Sequence, residues 1–184
     1  MGYEVFDHTA DIGIRVWGES LEDLFETAGR SLLVIAAPRI LVQPVEHRHI
    51  MVEADDLEAL LVNWLSEILY LLYVESFFPV TITAHINGIS TEIHPDREDS
   101  DRSEAPSREP KGGAPSESGP GLSVEGVLSG EIMDRERRSL LEVEIKAVTY
   151  HLLKVERLDC KGRADRMKVP DQRAVWFAQF ILDI

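Results

Sequence analysis

The stretch Val175-Trp176-Phe177-Ala178-Gln179-Phe180-Ile181-Leu182-Asp183-Ile184 is apolar at both odd and even positions. A strand tolerates that only when both of its faces are covered. A chain containing it has to build a sheet with this strand near the centre. Two helical segments offer the covering. Leu21, Leu24, Phe25, Ala28 and Leu32 fall at helical spacing behind Ser20, a capping residue with acidic Asp23 three positions on, so a helix is expected from about Leu21 to Ala36, with Pro38 beyond its end. Asp55-Asp56 supplies the cap and favourable negative charge for a second helix, whose buried stripe is Leu57, Leu60, Leu61, Trp64, Leu65, Ile68 and Leu72. The run Leu57 to Val74 is the longest apolar one, yet Glu58, Asn63, Ser66 and Glu67 interrupt it and no basic residues flank it, which favours a buried helix over a membrane span.

Strand patterns occupy Tyr3 to Phe6, Ile12 to Trp17, His47 to Glu53, Pro79 to Ile86, Leu122 to Ile132 and Leu140 to Glu156. The apolar parity of the last of these changes near Ala147-Val148, which predicts a bulge or bend there. The order strand, helix, strand, helix and then several strands is that of an α+β domain, two helices packed on a mostly antiparallel sheet. One domain spanning residues 1–184 is expected. At about Asp96 to Gly121 the sequence turns to Asp, Glu, Arg, Ser, Pro and Gly without periodicity, seven acidic against four basic residues, and reads as a low-complexity, disordered insertion.

Charge narrows the function classes. There are 33 acidic against 19 basic residues, a net charge of -14, so a phosphate backbone should be repelled and direct nucleic-acid binding is not expected. A basic protein partner or a concentrated cation suits such a surface better. The single cysteine, Cys160, leaves no intramolecular disulfide or multi-cysteine metal site, and with no signal-peptide pattern at Met1-Gly2-Tyr3-Glu4 the expected location is cytoplasmic.

Enzyme signatures are missing: there is no glycine-rich phosphate loop, no nucleophile elbow and no paired-histidine zinc motif. Three places still call for explanation. In His8-Thr9-Ala10-Asp11-Ile12-Gly13 a polar segment separates two strand pieces, and Asp11 reads either as a turn aspartate or as a ligand. At the other end Asp183 sits inside an apolar strand, where a carboxylate is costly unless a cation or several donors receive it. With the α-carboxylate of Ile184, and with Asp11 if the ends meet, it would offer hard oxygen donors suited to Ca²⁺, Mg²⁺ or Mn²⁺; the alternative is that both simply reach solvent. In the third, Lys146 to His151, Lys146 is either a neutralising or partner-facing cation or an ordinary strand lysine, and Tyr150 and His151 are either functional or packed in the core. His47 and His49 share a strand face without an evident third ligand.

Taken together, His8-Thr9-Ala10-Asp11-Ile12-Gly13, Trp17-Gly18, Asp56-Leu57-Glu58-Ala59-Leu60-Leu61-Val62-Asn63-Trp64-Leu65, Lys146-Ala147-Val148-Thr149-Tyr150-His151 and Asp183-Ile184 closely resemble the archease family, in the same order and over nearly the whole chain. Only the insertion and the stretch near Arg157 to Asp171 depart from it. The resemblance implies a small α+β protein, similar in part to a redox-regulated chaperone, that assists an RtcB-type RNA ligase in tRNA splicing or RNA repair without being an enzyme itself. It implies a divalent-cation site at Asp11, Asp183 and Ile184 and a functional role for Lys146, with His8, Tyr150 and His151 as further candidates for contact with the partner. The competing expectation is a chaperone or adaptor for an RNA-modifying enzyme such as a tRNA methyltransferase.

Overall fold

A computed structural model describes residues 2–8, 11–88, 121–158 and 175–184. The expected insertion, apart from Gly121, and Cys160 lie outside the described residues, as do Thr9, Ala10 and the side chain of His8. The elements in chain order are β1 (Gly2–His8), β2 (Asp11–Gly18), α1 (Leu21–Ala36), β3 (Glu46–Ala54), α2 (Leu57–Tyr73), β4 (Phe77–Asn87), β5 (Leu122–Ile132), the short α3 (Arg135–Arg138), β6 (Ala147–Leu158) and β7 (Val175–Asp183). The fold is α+β, as the pattern of the sequence requires. Its strands form two antiparallel sheets, a four-stranded one in the order β1-β2-β7-β6 and a three-stranded one in the order β3-β5-β4.

β7 lies between β2 and β6, the interior position that its two apolar faces demand. Ala178, Phe180 and Leu182 are buried on one face, and Val175, Phe177 and Ile181 on the other. The helices join the sheets: α1 packs on β2 and β4, α2 on β3 and β6. Both begin as their caps predict, with the Ser20 hydroxyl accepting the Asp23 amide at 3.1 Å and Asp56 accepting the Ala59 amide at 2.7 Å. The helices approach closely at Gly29, where a β-carbon would lie 2.8 Å from Ile68 Cδ1 and 3.0 Å from Ile82 Cδ1. Trp64 crosses between them and donates its indole N–H to Phe25 O at 3.1 Å. α2 keeps its apolar stripe inside the core, and among the described residues no helix is long and apolar enough to cross a membrane.

Two outer strands are closed by helix carboxylates. Glu26 of α1 accepts the Ala84 amide of β4 at 3.2 Å, and Glu58 of α2 accepts the Val155 amide of β6 at 3.1 Å. One backbone donor on each of these two edge strands is thus satisfied without another strand.

The strand pattern beginning at Leu140 is corrected by the structure. Pairing starts only at Ala147, because that residue already faces Asp183, the last position of β7, and among the described residues no strand pairs with 140–146. Leu141 and Val143 pack on the core and Ile145 is buried within it, so the alternation is real while the strand is not. α3, capped by Asp134 at 2.8 Å to the Arg137 amide, lies between the strand patterns ending at Ile132 and beginning at Leu140, where no element was expected. The bulge expected at Ala147-Val148 lies instead between Thr149 and Lys154, with Leu152 in the left-handed region at φ 54°.

Candidate metal centre at the end of the larger sheet

The antiparallel registers bring the two ends of the chain together. His8 pairs with Asp11, Ile12 with Leu182, and Ala147 with Asp183. Carrying the β2–β7 register one residue beyond Ile12 sets Asp11 opposite Asp183. His8, Asp11, Asp183 and Ala147 therefore form one row across all four strands. Residues directly opposite in such a row share a face, with β-carbons about 4.5–5.5 Å apart, so the carboxylates of Asp11 and Asp183 can reach a common cation. The face is the one turned away from α1, since Ile14 and Val16 occupy the other parity of β2 in the core.

The next row supports the first. Phe6, Gly13, Ile181 and Thr149 align there, and the Phe6 ring fills the space that a β-carbon on Gly13 would need. Ile181 is buried within this row, and the hydroxyl oxygen of Thr149 is buried without a hydrogen-bond partner among the described residues. A third row is polar. The Arg15 guanidinium lies 4.4 Å over Phe6 and donates at 2.8 Å to both Glu4 and Gln179, and Gln179 donates in turn to Leu152 O at 3.3 Å. That chain ties all four strands together and holds the left-handed turn of the bulge. Glu4, Arg15 and Gln179 were not singled out from sequence; the available signal was a charged residue at mid-strand between Ile14 and Val16.

Lys146 completes the end of the sheet. Its amide donates to Asp183 O at 2.8 Å, its Nζ donates to Ile184 O at 2.7 Å, and Nζ lies 3.9 Å from Asp183 Oδ1. Among the described residues no group of three or more His, Cys, Asp and Glu side chains is spaced to hold a metal. Two carboxylates and a main-chain oxygen are nevertheless a hard-oxygen donor set, and an ammonium already rests against two members of it, so the residues fit a divalent cation of the calcium or magnesium type. His47 and His49 do not add to it. They lie on β3 of the smaller sheet, where His47 Nδ1 is 2.8 Å from Ser129 Oγ. Tyr150, His151 and Leu152 are exposed on the bulge of β6, so the core-packing alternative fails for Tyr150 and His151.

The segment leading to Lys146 is anchored by a residue that drew no notice in the sequence. Tyr73 Oη accepts the Ile145 amide at 2.9 Å and donates to Val143 O at 3.3 Å. Burial pushes its phenol above the ordinary value of 10.0; the bond from Ile145 opposes the rise and the charge of Glu144 adds to it. A group with a raised folded-state pKa contributes stability that is intact below the unfolded value and is lost as pH climbs from there through the folded value. Tyr73→Phe should lower stability by about 1 kcal/mol at neutral pH and flatten the decline above pH ~10, as read by urea unfolding across that range. Identical pH slopes in the two proteins would remove Tyr73 from this account.

Comparison with known proteins bears on the family and the fold. The model of the Archease protein family matches residues 3–184. Protein archease of Pyrococcus furiosus is 34% identical over 183 residues, covering 99% of this chain and 98% of its own. Protein archease of Methanopyrus kandleri is 31% identical over 184 residues, with all of both chains covered. The solution structure of Methanobacterium thermoautotrophicum protein 1598 superposes with a TM-score of 0.62 at 24% identity, covering 100% of this chain and 99% of that one, a likeness of fold.

Proposed function

The chain belongs to the archease family, and on that premise we propose that it is a non-catalytic activator of an RtcB-type RNA ligase, promoting the ligase's metal-dependent guanylylation and repeated turnover in tRNA splicing or RNA repair. The observation that carries this reading is the row in which the β2–β7 register sets Asp11 against Asp183, beside Ile184 and Lys146. A cation held there would neutralise phosphate oxygens. The chain's own residues do the rest: the carboxylates of Asp11 and Asp183 and the oxygen of Ile184 bind, Lys146 balances their charge while no cation is held, and the Arg15 row keeps the strands in register. Tyr150 and His151, exposed on β6, are the residues offered to the partner, and His8, on β1 at the opposite edge of the same sheet, is a further candidate. A net charge of -14 favours a protein partner over direct contact with RNA.

The test is to add purified protein at about one tenth of the ligase concentration to a reaction with GTP, metal and broken RNA. Products per ligase should rise well above one, and well above the level reached without it. Unchanged ligation, together with suppressed light scattering from an aggregating client, would replace the reading by a chaperone or adaptor role.

A further inference from the structure

Lys146 stands where a second cation would have to stand. Its ammonium contacts the Ile184 oxygen at 2.7 Å and faces Asp183 Oδ1 at 3.9 Å. A hard divalent cation takes oxygen ligands at about 2.0–2.6 Å. Bound to these same oxygens, it would lie within roughly 5 Å of the ammonium, and two like charges so close repel each other. The backbone of Lys146 cannot follow the side chain away, because its amide is bonded to Asp183 O and the preceding Ile145 is held by Tyr73. The side chain can move. It is 59% exposed, and beside it Ser66, Leu69, Tyr70, Tyr73 and Val74 line a shallow cleft of about 270 Å³ on α2. Such a cleft takes the aliphatic stem of a lysine and leaves its ammonium at the rim.

We propose that Lys146 and a divalent cation occupy the oxygens of Asp183 and Ile184 alternately. In the cation-free protein the ammonium is the resident counter-ion. Cation binding expels it into the cleft on α2, where it is presented to an anionic group of the partner. The proposal rests on the cation site read above, and it gives Lys146 a sign opposite to that of a supporting residue: removing it should strengthen cation binding and weaken activation.

Calorimetric titration of the full chain with CaCl₂ and with MnCl₂ tests this on the wild type, Lys146→Met and Asp183→Asn. Lys146→Met should bind about 3–10-fold more tightly, since a competing exposed ion pair of ~1 kcal/mol or somewhat more is gone. In the wild type, the NMR signals of the Lys146 ε-methylene should shift on saturation with CaCl₂ while those of Lys154, paired with Glu156 at 2.8 Å, stay in place. Equal or weaker binding by Lys146→Met, with Asp183→Asn losing it, would show that cation and lysine coexist, and would overturn the exchange while sparing the site. Binding by Asp183→Asn as tight as in the wild type would overturn the site and the exchange together.

Discussion

Asp11→Ala should abolish activation of multiple-turnover ligation and leave the protein folded. Asp11 is one of only two carboxylates in the row at the end of the larger sheet, so its loss removes a charged ligand from a set that already depends on a main-chain oxygen. A cation affinity at least ten-fold weaker, about 1.4 kcal/mol or more, is the expected consequence. The fold should survive because Asp11 is partly exposed and its strand is held by the backbone pairs of β1 and β7. Surface changes of this kind usually alter stability by less than about 0.5 kcal/mol. The measurement is ligated product per ligase beside a thermal melt of the variant. Normal activation by a folded Asp11→Ala would end the cation-site reading, whereas an unfolded variant would move the question to Asp183→Asn, which keeps the shape of the side chain.

Trp64→Ala should be the most damaging single change to stability, at about 3–5 kcal/mol in urea unfolding. Trp64 is completely buried on α2. Its indole N–H bonds Phe25 O on α1, and the two rings lie 6.5 Å apart at 48°. Its far edge lies against Gly126 of β5, in the space that a β-carbon there would occupy. One side chain thus joins both helices and the smaller sheet, and its removal leaves a cavity where the three meet and takes away the indole's bond to Phe25 O. Small domains have only about 5–15 kcal/mol to lose. A cost under about 1 kcal/mol would mean that the site collapses readily around alanine, and the central role given to Trp64 would be wrong.

Both predictions concern residues that stand in sequence motifs, but the motifs were informative to different degrees. Trp64 was legible as core because it sits in a stripe of apolar residues at helical spacing, and α1 was legible to its limits because Ser20 and the periodicity after it are local signals. Asp11 taken alone was a turn residue or a ligand, and nothing nearby chose between them. The register of β2 on β7 sets it opposite Asp183, the arrangement on which the proposed ligand role rests. Tyr73 was hidden for a related reason: it lies at the end of the apolar helix α2, and its hydroxyl acquires a role only because 143–145 runs past it. Leu140 to Lys146 misled in the opposite direction, since alternation records which side chains are buried and not whether another strand is present to pair with.

The sequence by itself determined the α+β class, the two capped helices, the interior place of β7 and the order of motifs that resembles the archease family. Each depends on spacing within a few residues or on apolar faces that need covering whatever the topology. The tertiary structure alone decided the division into two sheets, the place of the bulge at Leu152, the rows that set Asp11 against Asp183, and the ammonium of Lys146 resting on Ile184. Those features depend on register, and register is fixed by the sum of cross-strand pairs and covering helices acting together, a sum that no local stretch of sequence contains.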